Sequence, residues 1–265
     1  MSLREILLLK PLLFKVILKQ IRTMKFIFSI LILFFAVSAF GQSSKWKGAS
    51  KESLAYHAYR VRPTVPPYGL IKIKDMIKQI KADDDDNEML SEEAYEALSL
   101  KEKFTYHMIH GESYSQNCDA MPPIQDEHKK IFAYIPDMFE EYAWSDRQAT
   151  FLKSNRDSVI ALMKESITRS KRVGLNFKHA ILEINATEMI PFLVKTQKEI
   201  KKDLDLLTLM LLLMKENEYD PFIASGSYRK LYGEEAGYMS YLNYNKANED
   251  LIIKRAIAFY NESKK

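Results

Sequence analysis

The sequence predicts an all-α protein. Apolar residues recur at three- and four-residue steps through most of the chain after residue 70. Helix-capping patterns stand at several of the breaks, and no alternating run bounded by Asn-Gly-type turns predicts a β-sheet. The expected architecture is antiparallel helix pairs, HEAT-like or an irregular helical bundle, behind a signal peptide and an extended arm.

Composition narrows the class. Of 265 residues, 47% are apolar and 28% charged, which excludes wholesale disorder. A single cysteine excludes a disulfide scaffold and a multi-thiolate metal cluster. The net charge of +4 comes from the first 41 residues, where Arg4, Lys10, Lys15, Lys19, Arg22 and Lys25 face Glu5 alone. The remainder is close to neutral and lacks the basic footprint of a nucleic-acid binder. Lys195, Lys198, Lys201 and Lys202 fall at helical steps and read as a solvated helix face.

From Met24 the chain carries Lys25, a mostly apolar run from Phe26 to Val37, and the small residues Ser38, Ala39 and Gly41. This is the layout of a secretory signal peptide, with an apolar run short for a membrane span. Met24 is the expected start and Gly41 the expected cleavage point. Residues 42–69 read as an extended arm because Pro63, Pro66 and Pro67 cluster there. Residues 70–265 then form the expected single all-α domain.

Within that domain Leu70, Ile73, Met76, Ile77 and Ile80 predict a helix that stops at the acidic run Asp83–Asn87. Ser99-Leu-Lys-Glu102 is a capping box that opens a helix to His110, with Gly111 as its stop. Pro122-Pro123 breaks the chain. Gln125 to Tyr134 reads as helical, and Asp137 to Tyr142 as a short turn or helix. Val159, Leu162, Met163 and Ile167 make the next stripe. Val173, Phe177, Ala180, Ile181 and Ile184 follow, with Asn185 and Glu188 as a cap for the helix after them. Leu204 to Met214 is almost wholly apolar and reads as a buried core helix.

Glu188-Met-Ile-Pro-Phe-Leu193 is echoed by Glu218-Tyr-Asp-Pro-Phe-Ile223. With the stripe at Val159 it gives a period of about thirty residues, the length of a helix pair. The region from about 155 to 225 thus resembles HEAT-type helical repeats. The resemblance implies a protein-binding scaffold.

Chemistry concentrates between His107 and Asp119. His107 and His110 share a helix face, Glu112 follows the Gly111 stop, and the lone cysteine is Cys118. His107, His110 and Glu112 are candidate metal ligands, although zincin spacing is missing. Gly111-Glu-Ser-Tyr-Ser115 resembles the nucleophile segment of serine carboxypeptidases. That resemblance makes Ser113, beside Tyr114, a candidate nucleophile with His128 or His179 as base, and Cys118 an alternative. Asp83, Asp85 and Asn87 match the first half of a calcium loop, but Glu88 and Ala94 stand where the loop needs Gly and Glu. Tyr228, Tyr232, Tyr238, Tyr241 and Tyr244 are candidate partner-binding residues.

The chain reads first as a secreted or periplasmic helical binding protein. Its expected partner is another protein or a cell-envelope component, with no nucleic acid, no cofactor and no stable membrane span after cleavage. A small hydrolase or metal-dependent enzyme built on the His107–Asp119 segment is the alternative. N-terminal sequencing of the exported protein is expected to begin at Gln42. An intact Met24 end in a membrane fraction would exclude cleavage.

Overall fold

The structure is a computed structural model. It describes residues 48–116 and 122–264. The expected leader, the Met24 start, Cys118 and Asp119 lie outside the described residues. Among the described residues helix makes up 58% and strand 5%, with 12 α-helices, so the all-α reading holds.

The expected extended arm holds a helix, α1 (Lys51–Val61). Ser50 caps it by accepting from the Ser53 amide at 3.2 Å. The proline cluster that suggested an arm begins only after this helix ends. Ser53, Tyr56 and Arg60, spaced along one face, are buried, so α1 belongs to the domain, whose compact unit runs from Gly48. The extended stretch after it is tied down by Asn176. The Asn176 side chain accepts from the Thr64 amide at 2.9 Å and donates to the Thr64 carbonyl at 2.8 Å. At Gly174, a Cβ would stand 2.0 Å from the Thr64 nitrogen, so this approach requires glycine.

The next helices follow the sequence closely. Helix α2 spans Leu70–Ile77, α3 spans Glu92–Glu96 and α4 spans Leu100–Ile109. The capping box at Ser99 and Glu102 is formed in full. The smaller apolar cluster, Ile73, Leu90, Tyr95, Leu98 and Tyr106, sits where these helices meet.

The segment after them departs from the expectation. Gln125–Tyr134 is not a helix but a 3₁₀ turn (Glu127–Lys129) running into β2 (Lys130–Phe132). Here tertiary bonds outcompete helical ones. β2 pairs antiparallel with β4 (Tyr241–Asn243), and the Thr208 hydroxyl donates to the Phe132 carbonyl at 2.9 Å. A second two-stranded sheet pairs β1 (Ser113–Tyr114) with β3 (Tyr142–Ala143). Strands of two or three residues are too short to show a period of two, and their partners are remote in sequence. Gly111 does not end α4 in a left-handed turn. Its missing Cβ makes room for the Ala143 carbonyl, which would otherwise lie 2.9 Å away.

The rest is helical: α5 (Asp146–Ser154), α6 (Arg156–Ser170), α7 (Leu175–Glu183), α8 (Ile190–Ile200), α9 (Asp205–Glu216), α10 (Asp220–Ile223), α11 (Gly226–Tyr232) and α12 (Lys246–Glu262). The sequence echo marks two helix starts, each with proline in the first turn, at Pro191 and Pro221. The Asn185 cap is not made: its side chain bonds Asn217, and Glu188 pairs with Arg156.

Helix α9 is the central pillar. Every residue from Asp205 to Met214 is buried, and the helix packs against α12, α7, α8 and β2. Among the described residues no helix is long and apolar enough to cross a membrane. Leu211→Ala is expected to destabilise the protein by about 2–5 kcal/mol through lost transfer energy and an unfilled cavity, read from the denaturation midpoint.

Candidate functional site

Of the sequence candidates, His107 and Glu112 are absorbed by packing, whereas His110 and Tyr238 line a cleft. His107 is fully buried, with its ring centroid 4.7 Å from that of Phe151. Its Nε2 lies 3.1 Å from the Tyr95 hydroxyl, and its Nδ1 has no hydrogen-bond partner. His110 instead reaches the Glu88 carbonyl through Nε2 at 2.6 Å. Glu112, fully buried, is enclosed by its own donors. Tyr106 donates to it at 2.7 Å, Arg147 Nε at 3.0 and 2.9 Å, and the Ser145 hydroxyl also donates. His107, His110 and Glu112 therefore do not form a donor set, and no group of three or more metal-ligating side chains converges among the described residues. The reason is local: each of the three meets a different partner around the Tyr106 ring.

The remaining candidates are dispersed. Ser113 pairs in β1 opposite Ala143. His128 turns to the Ser53 hydroxyl at 3.2 Å and His179 to the Pro136 carbonyl at 2.7 Å, so neither serves Ser113. In the acidic run, Asp83 accepts from the amides of Asp85 and Asn87 at 2.9 and 2.8 Å, capping its own turn. The five tyrosines do not share one surface. Tyr228 and Tyr232 pack edge-on against Phe222, and Tyr232 donates to the Ala133 carbonyl at 2.8 Å. Tyr244 bonds Glu249, and Tyr241 lies in β4 under Lys130. Of the five, Tyr238 is the one largely exposed, at 63%.

Tyr238 stands at a cleft of about 1350 Å³. Its walls are α1 and the stretch after it (His57, Arg60, Val65), the outer face of α2, the end of α4, residues 134–142 and the start of α7. Three large apolar side chains are left open to solvent along it: Val65 at 41%, Tyr134 at 43% and Tyr238. Lys74 and Lys78 stand on the α2 side, while Asp137, Glu140 and Glu141 stand on the 134–142 side.

Behind the cleft lies a buried ion network that the sequence reading missed. Arg60 Nε donates to both carboxylate oxygens of Asp205, at 2.9 and 3.1 Å. Its other nitrogens reach Glu127 at 3.0 Å and the Tyr134 carbonyl at 3.2 Å. Lys178 bridges Asp203 at 2.8 Å and Asp205 at 3.3 Å. All five charged groups are at most 2% exposed. Burial works against both aspartates. At Asp205 it is outweighed by Lys178 and Arg60, which hold the carboxyl below its usual range; at Asp203 burial prevails and the carboxyl is pushed up. The network surfaces at His57, whose Nδ1 lies 3.0 and 3.1 Å from the two oxygens of Glu127. An imidazole held this way presents its other nitrogen in a fixed orientation. The available signal was Asp205 itself, an acid inside the apolar run from Leu204 to Met214, which demands a buried partner.

Comparison with known proteins finds no match among family models, curated proteins or solved structures.

Burial lowers the His107 imidazole to about 3. The unfolded chain therefore takes up a proton near pH 6.5 that the folded one refuses. The stability present above pH 6.5 is expected to fall by about 1.4 kcal/mol per unit as the pH drops from there toward 3. In His107→Gln this part of the acid slope disappears, as denaturant titrations at successive pH values would report.

Proposed function

We propose that this chain is an exported helical binding protein whose cleft takes an apolar, aromatic-rich segment of a protein partner outside the cytoplasm. One observation carries the reading: a cleft of about 1350 Å³ with Val65, Tyr134 and Tyr238 open along it. It exceeds the roughly 300–1,000 Å³ of a typical small-molecule pocket, and apolar surface left exposed in one concavity marks an interaction site. Opposite charges on its two sides favour a peptide in one orientation. The signal-peptide layout supports export, and the repeat spacing resembling HEAT-type scaffolds supports binding to protein.

Trp144 is a built-in reporter. Its ring lies 6.1 Å from Phe139 of the cleft, and its indole N–H donates to the His107 carbonyl at 2.7 Å. In a Trp46→Phe background, peptides rich in Leu and Tyr are expected to shift Trp144 emission, whereas Ser-substituted versions do not. Val65→Asp with Tyr238→Ala should weaken that binding at least about tenfold with unchanged melting, because both side chains are exposed. A panel of such peptides that left Trp144 unchanged would refute the reading.

A second reading rests on His57, positioned by Glu127 to move a proton to or from a bound group. Turnover of a chromogenic ester that is lost in His57→Gln, with peptide binding intact, would favour it.

A further inference from the structure

The far end of α1 carries a second surface. Tyr59 gathers cations from two other turns. The Arg172 guanidinium carbon lies 4.3 Å from its ring centroid, and the Lys202 ammonium lies 4.6 Å from it. Arg172 also donates to the main-chain carbonyls of Tyr59 and Arg62, so the α6–α7 turn is fastened to the end of α1. Lys171 and Lys201 are the sequence neighbours of these two cations and are exposed, as is Arg62. Among the described residues none of these five cations has an ion-pair partner. The acid beside them, Asp203, is buried and already bound to Lys178. Burial works against the Arg172 charge, and Arg62 adds to that; the Arg172 Nε–H is left without a partner.

The backbone bears the same mark. Lys171, with φ of +52° and ψ of +37°, has the left-handed conformation that helix ends normally give to glycine or asparagine, and Lys201 has a positive φ of +55° with ψ of −31°. The helix dipole favours a cation in the last turn but does not require lysine at a sterically costly position. Leading from these charges back toward the start of α1, Leu54, Ala55 and Ala58 face outward, with Leu54 48% exposed. Leu54, Ala58 and Arg62 are spaced four apart, so they share a face. Glu52, the exposed acid of α1, stands two residues before Leu54 but about 200° around the helix from it.

We propose that this end of α1, with Tyr59, Arg62, Lys171, Arg172, Lys201 and Lys202, docks on an anionic phospholipid bilayer. Cations from three chain segments on an open surface match several phosphates in a plane. An outward Leu and Ala stripe leading to Arg62 matches the headgroup boundary. A polynucleotide would gain nothing from that stripe.

The test reads this face alone. In a Cys118→Ser background, an environment-sensitive dye is attached at Ala58→Cys, or at Asp85→Cys in the acidic run as control. Vesicles of phosphatidylcholine with phosphatidylglycerol are expected to blue-shift the dye at 58 and leave it unchanged at 85. Phosphatidylcholine vesicles alone should leave both unchanged, and salt of about 0.5 M should abolish the shift. Lys171→Gln, Lys201→Gln and Lys202→Gln should each weaken binding roughly fivefold, with melting curves confirming the fold. No shift at 58, an equal shift with neutral vesicles, triple-variant binding equal to the parent, or the same shift with a single-stranded oligonucleotide would each overturn the proposal.

Discussion

The fold depends on how one carboxylate is neutralised. Asp205 opens the most apolar of the described helices and is 1% exposed. An unpaired charge there would be untenable, and removing one partner from such a pair typically costs about 3–5 kcal/mol. Arg60 and Lys178 meet the demand together. In doing so they place α1 and α7 against the start of α9, and Arg60 brings the 3₁₀ turn with it through Glu127. Apolar contacts fill the core, but the network sets which faces of these helices meet, because hydrophobic burial alone has no direction.

The same network shapes the cleft. Arg60 holds the Tyr134 carbonyl and Glu127 holds His57, so two cleft walls are anchored to one buried guanidinium. The polar groups nearest the floor are thus rigid and already bonded, while the apolar groups at the opening are free. Such a surface discriminates by shape and apolar area more than by new hydrogen bonds. On the opposite side of the same argument, the His107–Glu112 segment spends its polar groups inside the domain. Tyr95 and Tyr106 show its depth: burial pushes the Tyr95 hydroxyl up to about 12 and the Tyr106 hydroxyl higher still.

Most of the helical frame was legible in the residues. The Ser99–Glu102 box, the stripe from Val159 and the apolar run at 204–214 depend on short-range spacing, and each took the form its spacing implies. What was not legible depends on partners far away. Residues 130–132 became a strand because Tyr241–Asn243 offered a ladder, a pairing no local period records. Residues 51–61 were overshadowed by the prolines that follow them. The site was legible least. A cluster of His, Glu and Cys attracts attention as chemistry, yet His107 and Glu112 are buried groups with local partners. Of the residues that frame the cleft, His110 and Tyr238 stood out in the sequence, but His57, Val65 and Tyr134 are scattered and unremarkable until the chain brings them together. Asp205 was the exception, a charge whose misfit in its own helix announced a missing counterpart.

Arg60 and Asp205 are 145 residues apart, and this sets a direction on the birth of the fold. During synthesis α1 emerges first, carrying a guanidinium whose counter-charges do not yet exist. Glu127 follows 67 residues later, but until the start of α9 is made the guanidinium lacks Asp205 and the long-range core stays open, since non-local contacts bear the closure of the intervening chain before they reward it. The earliest helix among the described residues is therefore among the last to lock.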